Sequence, residues 1–296
     1  MRLARALPPL PRWPRACAGD ASAGARVAFV RFVRTPKGML TGILILFVAV
    51  AGRVEGASLV APGVAGAVGA AALLDLSIVA GRRRRLRFPS GAVVTGLLVA
   101  MVLSPYAAWY VPCAAAAIAI LTKHLLRTRS ANVFNPAAVG LVVVYYAFSV
   151  GHSWWGSMPA IVPSAAMPLL LFAAIVVARR VNKAPLVLAF LATHFGLFTG
   201  TALLGDPSLV ADVFVPPDLN AALFFSGFML TDPPTSPTRM AEQVAGGVVV
   251  AGASFLVFML SGAAHYLLSG VLAGNVLEAV LRIRRGRRVL GCAPTP

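Results

Sequence analysis

Ten apolar stretches, at residues 38–52, 57–80, 91–104, 106–122, 134–150, 160–178, 184–204, 219–231, 241–262 and 264–282, fill most of the chain and leave short polar connections between them. A helix needs about 20 apolar residues to cross a hydrocarbon layer roughly 30 Å thick, and most of these stretches approach that length. With 59% hydrophobic and 12% charged residues and a mean hydropathy of +0.84, the chain lacks the polar surface a water-soluble globule requires. The expected fold is all-α: a polytopic membrane protein with about ten transmembrane segments.

Charge follows the same division. With the N-terminus placed in the cytoplasm, every one of the 26 basic residues except Arg53 falls on the inner side, from Arg2 through the block Arg82–Arg85 to Arg288. The positive-inside rule then puts both termini in the cytoplasm of a bacterial plasma membrane and Asp206, Asp212 and Asp218 in one outer loop. The net charge of +17 reports topology and contact with anionic lipid, not nucleic acid, because no basic domain interleaved with aromatics is present. Trp154 and Trp155 are expected at the outer interface. Cys17, Cys113 and Cys292 are too scattered for a disulfide framework or a metal site. Residues 1–37 form a basic tail without the apolar core of a signal peptide, and a later start codon is the alternative for residues 1–25.

Two of the stretches are short and end abruptly. Residues 91–104 stop at Ser104-Pro105, and 219–231 stop at Thr231-Asp232-Pro233-Pro234-Thr235-Ser236-Pro237. About 14 residues at 1.5 Å each reach only some 20 Å, so such a helix breaks inside the membrane and needs polar, protein-lined surroundings. Thr231, Asp232, Thr235 and Ser236 supply them. Five spans precede residue 151 and five follow, so the halves enter from opposite sides, which suggests two inverted repeats with a binding site between the broken helices. The expected division is a tail 1–37, repeats 38–150 and 160–283, an outer connection 151–159, and a basic tail 284–296.

A second motif runs from Lys123-His124 through Arg127 to Asn135-Pro136. Asn followed by Pro reads as a helix N-cap with Pro in the first turn. A helix start flanked by Lys123 and Arg127 also suits an anion such as a flavin phosphate. Asp232 is read as a local cap, as a partner of Arg239, or, with Asp75, as part of a cation pathway.

Asn-Val-Phe-Asn-Pro-Ala-Ala-Val-Gly at 132–140, preceded by Lys123-His124, and Phe-Met-Leu-Thr-Asp-Pro-Pro-Thr-Ser at 228–236 together resemble the NqrB/RnfD family. Its members are membrane flavoprotein subunits of the sodium-pumping NADH:quinone reductase and of the Rnf complex. The resemblance covers most of residues 38–282, and the chain is similar to compact relatives found singly, including in enediyne antibiotic gene clusters. It implies a flavin (FMN or riboflavin), held by Asn135, Thr231, Asp232, Thr235, Ser236, Lys123 and Arg127, and electron transfer to a quinone or to partner redox subunits. Members with covalent FMN attach it to a threonine between the halves. Residues 151–160 contain none, so a non-covalent flavin is expected.

A small-solute or ion transporter on the same inverted-repeat fold is the other reading, since paired broken helices serve permeation as well as cofactor binding. His194 and His265 lie at different depths, which disfavours bis-histidine haem, and His124 and His152 are placed in loops. No hydrolase or nucleotide-binding motif occurs.

Overall fold

The computed structural model describes residues 32–83, 88–128, 131–161 and 163–291. The tail before residue 32, the basic block at 84–87, Arg129 and the last five residues lie outside the described residues. Among those described, ten helices match the ten apolar stretches, with their ends shifted by a few residues, mostly fewer than five. They are α1 (Pro36–Glu55), α2 (Ala57–Arg83), α3 (Ser90–Val102), α4 (Tyr110–Leu125), α5 (Pro136–Phe148), α6 (Pro163–Arg180), α7 (Ala184–Leu204), α8 (Asp218–Phe224), α9 (Met240–Ser261) and α10 (Tyr266–Gly291). The C-terminal end of α10 runs nine residues past its apolar stretch.

Local chemistry sets the boundaries. The Thr35 side chain accepts from the Gly38 N–H, and Pro36 occupies the first turn of α1, where its missing N–H costs nothing. Gly262, at φ 59°, ends α9 in the left-handed conformation that glycine tolerates best. α8 is extended by a π-helical turn, Phe225–Met229.

Burial inverts the soluble-protein pattern. Among the described residues five helices, including α1, α2, α7 and α9, are long and apolar enough to cross a membrane. They leave large side chains on the outside, among them Leu203, Leu204, Leu260 and Leu188, and Phe172 of α6 is exposed in the same way. The two short helices do the opposite. In α3 every residue from Thr95 to Val102 is buried, and so is every residue from Asn220 to Met229 in α8 and its π turn. An apolar exterior around buried short helices defines a polytopic membrane protein, because only lipid solvates such a surface favourably.

Aromatic rings join the halves. Phe47 of α1 lies 5.5 Å from Phe228 and 6.5 Å from Phe224, and Trp154 lies 6.3 Å from Phe224. Trp154 and Trp155 are both buried, which corrects their expected interfacial place. The Trp155 indole donates to the Ala100 carbonyl at 2.7 Å, so it caps a broken helix instead of meeting headgroups.

Small residues allow the closest helix contacts. At Gly140 of α5 a Cβ would stand 2.3 Å from the Ala115 carbonyl oxygen of α4. Gly140→Ala is expected to cost about 1–3 kcal/mol through forced separation of the two helices. A lowered melting temperature in detergent checks this.

Candidate functional site

Both helix breaks are closed by hydrogen bonds from elsewhere in the chain. At the end of α3, the Ser153 and Trp154 amides donate to the Val102 carbonyl at 3.0 and 3.1 Å, beside the Trp155–Ala100 bond. At the end of α8, the Asn135 side-chain amide donates to the Met229 carbonyl at 2.9 Å. Helix ends in a medium without water need such partners.

Asn135 joins the two sequence motifs. Its side-chain oxygen accepts from the Ala138 N–H at 3.2 Å, the N-cap bond expected from the Asn-Pro pair. Its backbone N–H donates to Oδ1 of Asn275 at 2.7 Å, and the Asn275 amide reaches the Thr235 carbonyl at 3.4 Å. Asn135 is 2% exposed. Motifs about 95 residues apart thus form one buried assembly with α10.

The Thr231–Pro237 segment is held from both sides. Thr231 donates to the Gly227 carbonyl at 2.7 Å, Thr235 to the Asp232 carboxylate at 3.0 Å, and Ser236 to the Asp232 carbonyl at 2.8 Å. Arg282 donates to Glu278 at 2.7 Å, to the Pro234 carbonyl at 2.8 Å and to the Ser236 carbonyl at 3.0 Å. Buried Lys183 donates to the Ser236 and Pro237 carbonyls. Burial, then the charge of Arg282, pulls the Lys183 ammonium below the usual lysine range, while Glu278 and Asp232 oppose that shift. Beside this segment lies a mainly apolar cavity of about 200 Å³, lined by Thr235, Ser236, Gly246, Gly274, Asn275 and Glu278 among others.

The remaining expected residues do not line this cavity, and Lys123 and Asp232 are otherwise engaged. Lys123 pairs with Asp75 at 3.0 Å, and His124 contacts the same oxygen at 2.7 Å. His124 sits in the last turn of α4, which corrects its placement in a loop. Arg127 is exposed just beyond that helix. Arg239 lies 3.9 Å from Glu242 and not against Asp232, whose carboxylate accepts from Thr235. Sequence reasoning treats Arg282 and Lys183 only as topological charges and so misses their place in the site. Glu278 followed four residues later by Arg282, in a stretch otherwise apolar, is the available signal for that pair.

The chain is thus a polytopic all-α membrane bundle with a buried helix break clamped by charged side chains. Residues 29–169, just under half of the chain, match the model of the NQR2, RnfD, RnfE family, and over that stretch the chain is similar to it. Several curated relatives are named as one and the same subunit of an ion-translocating oxidoreductase complex. The one from Ectopseudomonas mendocina is 39% identical over 85 residues, 27% of this chain and 25% of its own. Those from Rhodobacter capsulatus and Actinobacillus succinogenes are 42% identical over 65 residues and 33% over 99, covering 22% and 32% of this chain and 18% and 27% of their own. The chain thus spans about a quarter or less of the length of these relatives.

Proposed function

We propose that this protein is an integral membrane electron-transfer subunit that binds flavin non-covalently at its broken helices, in the cavity beside the end of α8. In this reading it passes electrons to a quinone or a partner redox subunit, coupled to cation movement. The Asn135–Met229 hydrogen bond carries the reading, because it unites the two motifs on which the family resemblance rests. The relatives' name, a subunit of an ion-translocating oxidoreductase complex, supports partner subunits.

The ten helices are read as ten spans in two inverted repeats, 38–150 and 160–283, joined by 151–159, with both termini in the cytoplasm. Packing supports this. α2 packs on α4 and α4 on α5 in the first half, as α7 packs on α9 and α9 on α10 in the second.

A bound flavin supplies the one- and two-electron redox chemistry. The cavity beside Thr235 and Ser236 is smaller than the roughly 300–1,000 Å³ that encloses a whole ligand. A flavin ring held there would rest on Thr235 and Ser236. The Thr235 and Ser236 hydroxyl protons are donated within the chain, so these oxygens, which line the cavity, would offer lone pairs to a ring N–H, while Thr231, outside the wall, ties the break to Gly227. Asn135 and Asp232 act by holding that segment in place. Lys123 and Arg127 supply positive charge toward a phosphate, Lys123 while paired with Asp75.

An absorption spectrum of detergent-purified protein, followed by acid precipitation, tests the proposal. The expected result is a flavin band that moves to the supernatant. Flavin retained in the pellet would mean covalent attachment, and a colourless protein that moves solute in liposomes would favour the transporter reading.

A further inference from the structure

A second cavity, of about 430 Å³, lies where the outer connection meets the start of α8. Its wall includes Glu55, Asp218, Tyr106, His152, Trp154 and Trp155, and among the described residues no Lys or Arg lines it. Arg53, the nearest basic residue along α1, is exposed and outside the wall.

Two carboxylates facing one partly buried space are costly unless a cation joins them. Neither Glu55 nor Asp218 has an ion pair among the described residues. Burial, followed by the negative charge of Asp212, raises the Asp218 carboxyl above the usual carboxylate range. His152 adds no compensating charge at neutral pH, because burial pushes it down to about 4. The aromatic walls add the electron-rich faces that attract cations.

Polar atoms around this wall are also short of partners. In the wall itself His152 Nδ1 is buried without a hydrogen bond, and so are Ser157 Oγ and Asn220 Oδ1, close in sequence to wall residues but not lining the cavity, although the Asn220 amide donates to the Ser157 carbonyl at 3.1 Å. Buried polar atoms normally find a partner in protein or solvent. A bare metal ion fits the space poorly, since it demands several oxygen ligands at about 2.3–2.6 Å. Among the described residues no group of three or more His, Cys, Asp and Glu could hold one.

We propose that this outer cavity binds an organic ammonium ion, with Glu55 and Asp218 as counter-charges and Trp154, Trp155 and Tyr106 as the aromatic walls. The same wall rejects a phosphate, so this site and the flavin proposed for the inner cavity are separate. Either proposal stands or fails without the other.

Calorimetric titration of the detergent-purified protein with benzyltrimethylammonium, and with benzoate as an anion of similar ring size, tests the site. Saturable binding of the ammonium alone is expected, weakened about tenfold or more, the equivalent of about 1.4 kcal/mol, in Glu55→Gln and in Asp218→Asn. Tyr106 is 79% exposed, so Tyr106→Ala leaves the fold intact and is expected to weaken binding several-fold. Equal affinity in all variants, equal binding of benzoate, or no saturable heat would overturn the proposal. Repeating the titration in nanodiscs with and without phosphatidylethanolamine identifies the source of the ammonium group. Loss of probe affinity only with that lipid would make its headgroup the occupant, and unchanged affinity would make it a free amine.

Discussion

Arg282→Ala is expected to lower stability by about 3–5 kcal/mol, the cost of breaking a buried ion pair by removing one partner. Arg282 holds Glu278, which is 6% exposed, and the carbonyls of Pro234 and Ser236 at the same time. Its loss takes the guanidinium from Glu278 and leaves the two carbonyls without that donor. Arg282→Lys keeps the charge but not the planar fork, and is expected to recover less than half of the loss. Chemical unfolding in detergent reads both. If Arg282→Ala were as stable as the parent, the clamp would be of no consequence.

Asn135→Leu is the second large effect, expected at about 2–4 kcal/mol. It combines a lost N-cap, typically about 1 kcal/mol, with loss of the shorter of two hydrogen bonds to the buried Met229 carbonyl, which keeps only the Asp232 N–H at 3.4 Å, about 1–3 kcal/mol. Asn135→Asp separates the two, since an aspartate keeps the bond from the Ala138 N–H but cannot donate to Met229. It should therefore remain destabilised, with its carboxylate facing a carbonyl oxygen. If Asn135→Asp matched the parent while Asn135→Leu did not, helix capping alone would explain Asn135. The link between the two motifs would then carry no energy.

Much of the fold was legible because membrane solvent simplifies the sequence. Apolar length set the helices, and the shortness of 91–104 and 219–231 was a sound reason to expect both to end inside the protein, as the buried α3 and α8 do. Asn135-Pro136 was equally legible, since N-cap chemistry is local. What the sequence hid was long-range. Nothing local says that Asn135 would reach Met229, or that Arg282, placed among the topological charges at the end of the last span, would turn back onto Pro234 and Ser236. Trp154 and Trp155 misled for a related reason. Composition puts tryptophan at the interface, but the end of α3 needed a donor, and the Trp155 indole supplied it.

The most direct test of electron transfer by this chain is anaerobic reduction of the purified protein in liposomes, followed by addition of a short-chain quinone. The account predicts a flavin absorption that bleaches on reduction and returns on quinone addition, and that is lost or shifted in a Thr235→Val, Ser236→Ala variant. A protein with no chromophore to bleach, or one whose bound flavin stays reduced with quinone and with every redox partner offered, would contradict it.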